Sequence, residues 1–234
     1  MTGTLYGLGI GPGDPDLITL KALKLLQAAP VLAYPALEDG DSLARAIIAP
    51  HLTTPKIEIA IRIPMTVERA PAQTVYDAAA EEIGKHLDQG QDVAVLCEGD
   101  PFFYGSFMYL FGRIAEHFPV EVVPGVSSLT ACATALQSPL SARNDILTVL
   151  PAPLPSDILA ARLRDTDSAA IMKVGRHFER VRDLISELGL TDNARYIERA
   201  TMAAQKILPL ADVPADAAPY FSMILIHKRG QAWK

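Results

Sequence analysis

Thr4-Leu5-Tyr6-Gly7-Leu8-Gly9-Ile10, followed at once by Gly11-Pro12-Gly13-Asp14-Pro15, decides the fold. The first seven residues form an apolar run punctuated by glycine, as in a strand buried on both faces. The next five are a tight turn. Asp14 is a good helix N-cap and Pro15 suits the first helical position. A buried strand that turns directly into a helix is the opening unit of a parallel α/β sheet. The predicted helix covers Asp16 to Gln27, with Lys21, Lys24 and Gln27 as one narrow polar stripe and the rest covered.

Outward from this unit the alternation continues. Strands are expected at Val31–Tyr34 (stopped by Pro35), Lys56–Ile63, Val93–Cys97 and Val120–Val123. Helices are expected at Leu43–Ala49, Ala72–Asp88, Phe107–His117 and Leu129–Gln137. After Asn144 the helices thin out. Strands at Ile146–Leu150, Ala169–Val174, Ala194–Glu198, Lys206–Leu210 and Tyr220–His227 accompany helices at Ser156–Arg164 and Phe178–Leu188. The expectation is therefore two α/β domains. The first, 1–124, has a mostly parallel sheet with helices on both faces. The second, 125–234, has a mixed sheet.

Composition narrows the function classes. The chain has 234 residues, half of them hydrophobic, with a formal net charge of −6. That balance disfavours nucleic acid, whose phosphates need a basic face, and so counts against an RNA methyltransferase. No apolar run reaches the length of a membrane span and no basic-then-apolar leader opens the chain, so a cytoplasmic protein is expected. Cys97 and Cys132 form no CxxC pair and suggest no metal site. Both lie in apolar segments and read as inert core thiols. His51, His86 and His117 are scattered near helix ends, where capping is the simplest role. Arg176, Arg180 and Arg182 with Glu179 and Asp183 read as a solvated helix face.

Three strand ends carry unusual loops: Gly11 to Pro15, Glu98 to Pro101, and Pro124 to Ser128. Ligands of open parallel sheets bind outside the carboxyl ends of strands, and glycine there lets backbone approach a ligand closely. The dinucleotide fingerprint fails on spacing. Gly7-x-Gly9 is followed by Pro12 where glycine is required, and Gly9-x-Gly11 by Asp14. No phosphate loop is present, and Asp14 at a helix start repels a pyrophosphate. Gly-Asp-Pro occurs twice, at residues 13–15 and 99–101, both times between strand and helix, which suits capping. Phe102-Phe103-Tyr104 after the second copy are either a flat wall for a ring system or core.

Leu8-Gly9-Ile10-Gly11-Pro12-Gly13-Asp14-Pro15, with Leu17-Ile18-Thr19-Leu20-Lys21-Ala22 after it, resembles the opening signature of the tetrapyrrole methylases, the class III S-adenosylmethionine-dependent methyltransferases. Glu98-Gly99-Asp100-Pro101-Phe102-Phe103-Tyr104-Gly105-Ser106 resembles their second signature and Pro124-Gly125-Val126-Ser127-Ser128 their third. Ile171-Met172-Lys173 and Glu198-Arg199-Ala200-Thr201 continue the likeness in order. The resemblance implies S-adenosylmethionine as co-substrate, held between the two domains, and no metal. It implies Pro12, Glu98, Gly99, Asp100, Phe103, Ser127, Ser128, Met172 and Ala200 as cofactor-binding residues. The Ser127-Ser128 pair stands where relatives often have Thr-Ala, and Ala200 where they often have glycine. A homodimer and a small-molecule tetrapyrrole substrate are implied too, without nucleic acid or membrane. Residues 98–111 and 173–177 are most similar to the subgroup that methylates ring carbon 20 of an early cobalamin precursor, metal-free and cobalt-loaded forms both remaining open. Lys173, Arg176 and His177 are candidates for the substrate's carboxylates. No triad is expected and no base is assigned, because in-line methyl transfer to an electron-rich ring needs mainly alignment. A binding module without turnover is the competing class.

Overall fold

The computed structural model describes residues 1–38, 40–64, 69–214 and 218–229, with side chains at 69–72 not described. The chain divides into two units, Met1–Ser127 and Ser128–Lys234.

The first unit alternates strand and helix. Strands β1 (Leu5–Gly9), β2 (Val31–Leu37), β3 (Ile57–Ile63), β4 (Val93–Cys97) and β5 (Val120–Val123) are interleaved with α1 (Leu20–Ala28), α2 (Leu43–Ile48), α3 (Arg69–Asp88) and α4 (Phe107–Ile114). The five strands form one parallel sheet in the order β3-β2-β4-β1-β5. The first two crossovers step one way along the sheet and the next two step back. With right-handed connections this sends α1 and α2 to one face and α3 and α4 to the other. The cores agree. Ala22, Leu26, Ala44, Ile47 and Ile48 pack with Leu8, Leu32 and Leu96 on one side. Tyr76, Ile83, Leu87, Phe107 and Leu110 pack with Leu5, Val95 and Ile61 on the other. Central β4 is buried at every position, as its unbroken apolar sequence requires.

Three local expectations are corrected. The helix expected over Asp16–Gln27 is two pieces: a 3-10 turn at Pro15–Leu17 capped by Asp14, then α1 from Leu20. Thr19 restarts it, its hydroxyl accepting from the Ala22 N–H at 3.2 Å. The covered face of α1 is also narrower than expected, with only Ala22 and Leu26 buried. Finally, β2 runs through Pro35 to Leu37. Its pairing with β4 ends at Ala33, so the missing N–H of Pro35 disturbs no ladder on that edge.

The second unit holds β6 (Leu147–Pro151), β7 (Ser168–Met172), β8 (Ala194–Glu198), β9 (Lys206–Leu208) and β10 (Ser222–His227), with α5 (Ser128–Ala135), α6 (Ser156–Arg164) and α7 (Phe178–Glu187). The order is β6-β7-β10-β8-β9. β6 and β7 are parallel and the other pairs antiparallel, which is the mixed sheet expected. α6 and α7 cover one face around Phe178 and Tyr196, whose rings meet edge to face at 5.4 Å.

The carboxyl ends of β4, β1 and β5 are locked together by backbone. Gly99 donates its N–H to the Gly11 carbonyl at 2.8 Å, and the two form an antiparallel bridge. A Cβ on Gly9 would come within 2.5 Å of the Gly125 Cα and 2.8 Å of the Gly99 carbonyl oxygen. A Cβ on Gly125 would come within 2.7 Å of the Gly9 Cα. Gly11 (φ +82°) and Gly99 (φ +69°) hold left-handed conformations that favour glycine. Replacing Gly9 or Gly125 by Ala should therefore destabilise by about 1–3 kcal/mol through overpacking. Gly84→Ala in α3 should be neutral or stabilising, since its nearest neighbour, Phe118, stands at 3.7 Å. Urea denaturation of the three variants checks the contrast.

Candidate functional site

The glycine junction sits where an open parallel sheet offers a ligand crevice, and Asp100 braces it. One carboxylate oxygen accepts from Phe102 N–H at 2.9 Å and Phe103 N–H at 3.1 Å. The other accepts from Gly125 N–H at 3.0 Å, tying the loop after β4 to the loop after β5. The second Gly-Asp-Pro thus caps its own turn, as its sequence suggests, and also crosses to a neighbouring loop. The first copy caps its own turn as well, Asp14 accepting from Asp16 N–H at 2.9 Å.

Glu98 lies on the same loop. Its carboxyl accepts from the Ala44 N–H of α2 and from its own backbone N–H. Burial nevertheless dominates and holds its pKa above the ordinary carboxyl range. Pro12 is buried within the first loop. Cys97, one residue before Glu98, is fully enclosed, and burial pushes its thiol well up. Cys132 is pushed up to about 12 for the same reason. Both are unreactive core thiols.

The aromatic triplet divides. Phe102 turns toward α4, with its ring 5.3 Å from Phe111 and 6.0 Å from Phe107. Phe103 pairs edge to face with Tyr104 at 5.2 Å. Tyr104 holds a left-handed φ of +57°, so only this second pair sits on strained backbone.

In the second unit the corresponding positions gather at one sheet edge. β6 and β7 end there and β10 begins between β7 and β8, with Met223 opposite both Met172 and Ile197 and Ser222 opposite Glu198. Met172, Lys173, Glu198, Arg199, Ala200 and Thr201 therefore share that edge. Lys173 (φ +58°), Arg199 (φ +46°) and Thr201 (φ +70°) all adopt the left-handed conformation. Such strain in non-glycine residues costs about 1–3 kcal/mol each and concentrates at ligand sites. Arg176 is exposed on a 3-10 turn, Gly175–His177. His177 follows it, and burial with the charges of Arg176 and Arg180 lowers its pKa.

Three features were not legible in the sequence. Arg180 is not part of a purely solvated face: it donates to the Ala152 carbonyl at 2.5 Å and to Ser156 at 2.9 Å. Glu198 is buried, accepts from Tyr196 at 3.0 Å and stands 3.5 Å from Arg199. Arg199 itself is a cation at the candidate site that only the sheet register reveals. Among the described residues no three His, Cys, Asp or Glu side chains converge as metal ligands, and no helix is long and apolar enough to cross a membrane.

Comparison with known proteins agrees with this geometry. The family model for Tetrapyrrole (Corrin/Porphyrin) Methylases matches residues 4–214. The chain is 42% identical over 232 residues to the cobalamin biosynthesis protein CobIJ of Mycobacterium bovis, covering 96% of this chain and 46% of that one. It thus spans about half the length of that relative. It is 41% identical to a precorrin-2 C(20)-methyltransferase of Sinorhizobium sp, covering 96% and 95%. It is 32% identical to a cobalt-precorrin-2 C(20)-methyltransferase of Salmonella typhimurium, covering 98% of each. The crystal structure of cobalt precorrin-4 methyltransferase, CbiF, superposes with a TM-score of 0.70 at 25% identity, over 96% of this chain and 94% of that one. With the three signature loops joined at one sheet end and the likeness running nearly end to end, the chain belongs to the tetrapyrrole methylase family.

Proposed function

We propose that this protein transfers a methyl group from S-adenosylmethionine to carbon 20 of precorrin-2, giving precorrin-3A in cobalamin biosynthesis. The observation that carries the reading is the 41% identity to a precorrin-2 C(20)-methyltransferase across almost the whole of both chains. A cobalt-loaded form of the same substrate is the second reading, favoured by the 32% full-length likeness to the Salmonella protein. The reading includes a cytoplasmic homodimer. Two buried, unpaired cysteines accord with a reducing compartment.

The residues present fit a cationic, folded donor. When bound, S-adenosylmethionine supplies the methyl group and the neutral sulfide leaving group. Gly99 and Pro12 offer close backbone approach, while Glu98 offers its carboxyl to the donor's positive charge. Asp100 has its carboxylate committed to three backbone N–H groups, so its part is to hold the loops in place. Phe103, Ser127, Ser128, Met172 and Ala200 are further donor contacts in the same reading. Lys173 and Arg176 meet substrate carboxylates, and His177 contributes a hydrogen bond. The protein's share of the rate is alignment, worth roughly 7–11 kcal/mol for well-placed reactants.

Anaerobic incubation with labelled donor and precorrin-2, read by mass spectrometry and carbon NMR, tests the reaction. One methyl at carbon 20 is expected. A methyl elsewhere changes the position assigned, and transfer only to the cobalt-loaded substrate selects the second reading. Donor binding without transfer to either overturns enzymatic function. Arg176→Ala should raise the KM for the tetrapyrrole about tenfold with little change in kcat, the scale of one charge-assisted hydrogen bond; unchanged kinetics remove Arg176 from the site. For Glu98, a raised folded pKa means that its contribution favours folding at low pH and is lost as pH rises through that pKa. Glu98→Gln should therefore raise the melting temperature at pH 7, the gain fading as pH falls through that raised pKa, while weakening donor binding. Thermal melts across pH and calorimetric titration of the donor check both halves.

A further inference from the structure

Strand β10 is entered through a bend at residues 219–222. The Ser222 hydroxyl donates to the Pro219 carbonyl at 2.6 Å and closes that bend. Arg199 N–H donates to the Phe221 carbonyl at 2.8 Å. Gly175 lies against the same bend from the other side, where an added Cβ would stand 3.5 Å from the Tyr220 Cα. The bend is thus wedged between the segment that leaves β7 and the segment that leaves β8. Those segments carry the left-handed residues Lys173, Arg199 and Thr201.

Its main chain is held on both sides, yet its two aromatic side chains stay half exposed. Tyr220 is 51% exposed and Phe221 45%, and their rings meet edge to face at 5.3 Å. An aromatic side chain presents about 150–250 Å², so the pair leaves roughly 200 Å² of apolar surface in one place. Single exposed hydrophobics are ordinary. Two adjacent rings on a fixed bend, at a sheet edge with three strained residues, are a preformed apolar wall of the kind that lines a ligand site.

Charge indicates what covers the wall. Lys173 and Arg176 lie within two residues of Gly175, and Arg199 is the residue bonded to Phe221. The one acid in segments 173–177, 198–201 and 219–222 is Glu198, which is buried and accepts from Tyr196 at 3.0 Å. Its other oxygen stands 3.5 Å from Arg199, whose side chain remains 38% exposed. A guanidinium has five N–H donors, so most of those of Arg199 are left for a ligand. An apolar wall with cations beside it fits a ring system that carries carboxylates at its rim. It suits the positively charged methyl donor less.

We infer that Tyr220 and Phe221 are specificity residues for the substrate: the tetrapyrrole rests against their rings while Arg199, with Lys173 and Arg176, meets its peripheral carboxylates. The inference rests on the tetrapyrrole reading above and adds to it an apolar seat and a third cation.

Anaerobic ultrafiltration with precorrin-2 and with its cobalt-loaded form tests it. S-adenosylhomocysteine is present throughout, and because it has no methyl to give, binding is read apart from transfer. Tyr220→Ala and Phe221→Ala should each raise the tetrapyrrole Kd about tenfold, and Phe221→Tyr should restore it. Arg199→Gln should also raise it about tenfold, the difference from wild type shrinking as salt rises. Affinity for S-adenosylhomocysteine should not change in any of these variants. Ile158→Ala, at a 43% exposed position on α6, should bind as the wild type does. Should Phe221→Ala lose its circular dichroism spectrum, Phe221→Leu, which keeps apolar bulk without the flat ring, takes its place. Folded variants of Tyr220 and Phe221 with unchanged tetrapyrrole affinity overturn the inference. So does a loss confined to S-adenosylhomocysteine, which moves the pair to the donor, or an equal loss in Ile158→Ala. Tetrapyrrole binding by the wild type without methyl transfer overturns the proposed reaction alone. A wild type that binds neither form overturns the inference.

Discussion

Backbone-to-backbone contact among Gly9, Gly99 and Gly125 is the constraint on which the candidate site depends. These glycines belong to the ends of three adjacent parallel strands, and no side-chain atom fits between them. The Gly99 to Gly11 hydrogen bond and the Asp100 carboxylate then fix the loops in register. Asp100 also caps the turn leading toward α4, so the loop that approaches a ligand and helix α4 start from the same anchor. Main chain packs here without side chains, at the strand ends outside which open parallel sheets carry their ligand crevices.

Around this junction the first unit spends stability at specific places. Glu98 keeps a carboxyl in surroundings that disfavour its charge, and Tyr104 occupies a conformation unusual for its residue type. The sheet edge of the second unit does the same with Lys173, Arg199 and Thr201. Strain and desolvation of this kind persist only where the surrounding fold over-determines them, and they are the physical signature of a site. They lie on segments that resemble the family signatures.

The aromatic bend before β10 has a different character. Its cost is exposed apolar surface, not strain or buried charge. Exposed apolar area is stabilised by association, whereas strained loops and half-buried acids are tolerated for chemistry. The aromatic residues after β4 separate along one short stretch. Phe103 and Tyr104 remain with the strand-end loop, while Phe102 joins Phe107 and Phe111 on the helix.

The sequence by itself determined the alternation of strand and helix, since period and turn chemistry are local. Val93–Cys97 lies between Asp92 and Glu98, and Ser156–Arg164 between Pro155 and Asp165. It also determined the three glycine-bearing loops and the absence of a dinucleotide fingerprint, because spacing along the chain is all those require. Tertiary structure alone decided what depends on neighbours distant in sequence. Pro35 continues its strand because β4 does not pair with it, and α1 starts afresh at Thr19 after the separate 3-10 turn. Asp100 reaches Gly125 only because β4 and β5 flank β1. Arg199 joins Met172 and Lys173 only because β10 inserts antiparallel between their strands. A one-dimensional pattern carries burial and turns, but which loops meet is fixed by strand order, and strand order is settled by long-range packing within each sheet.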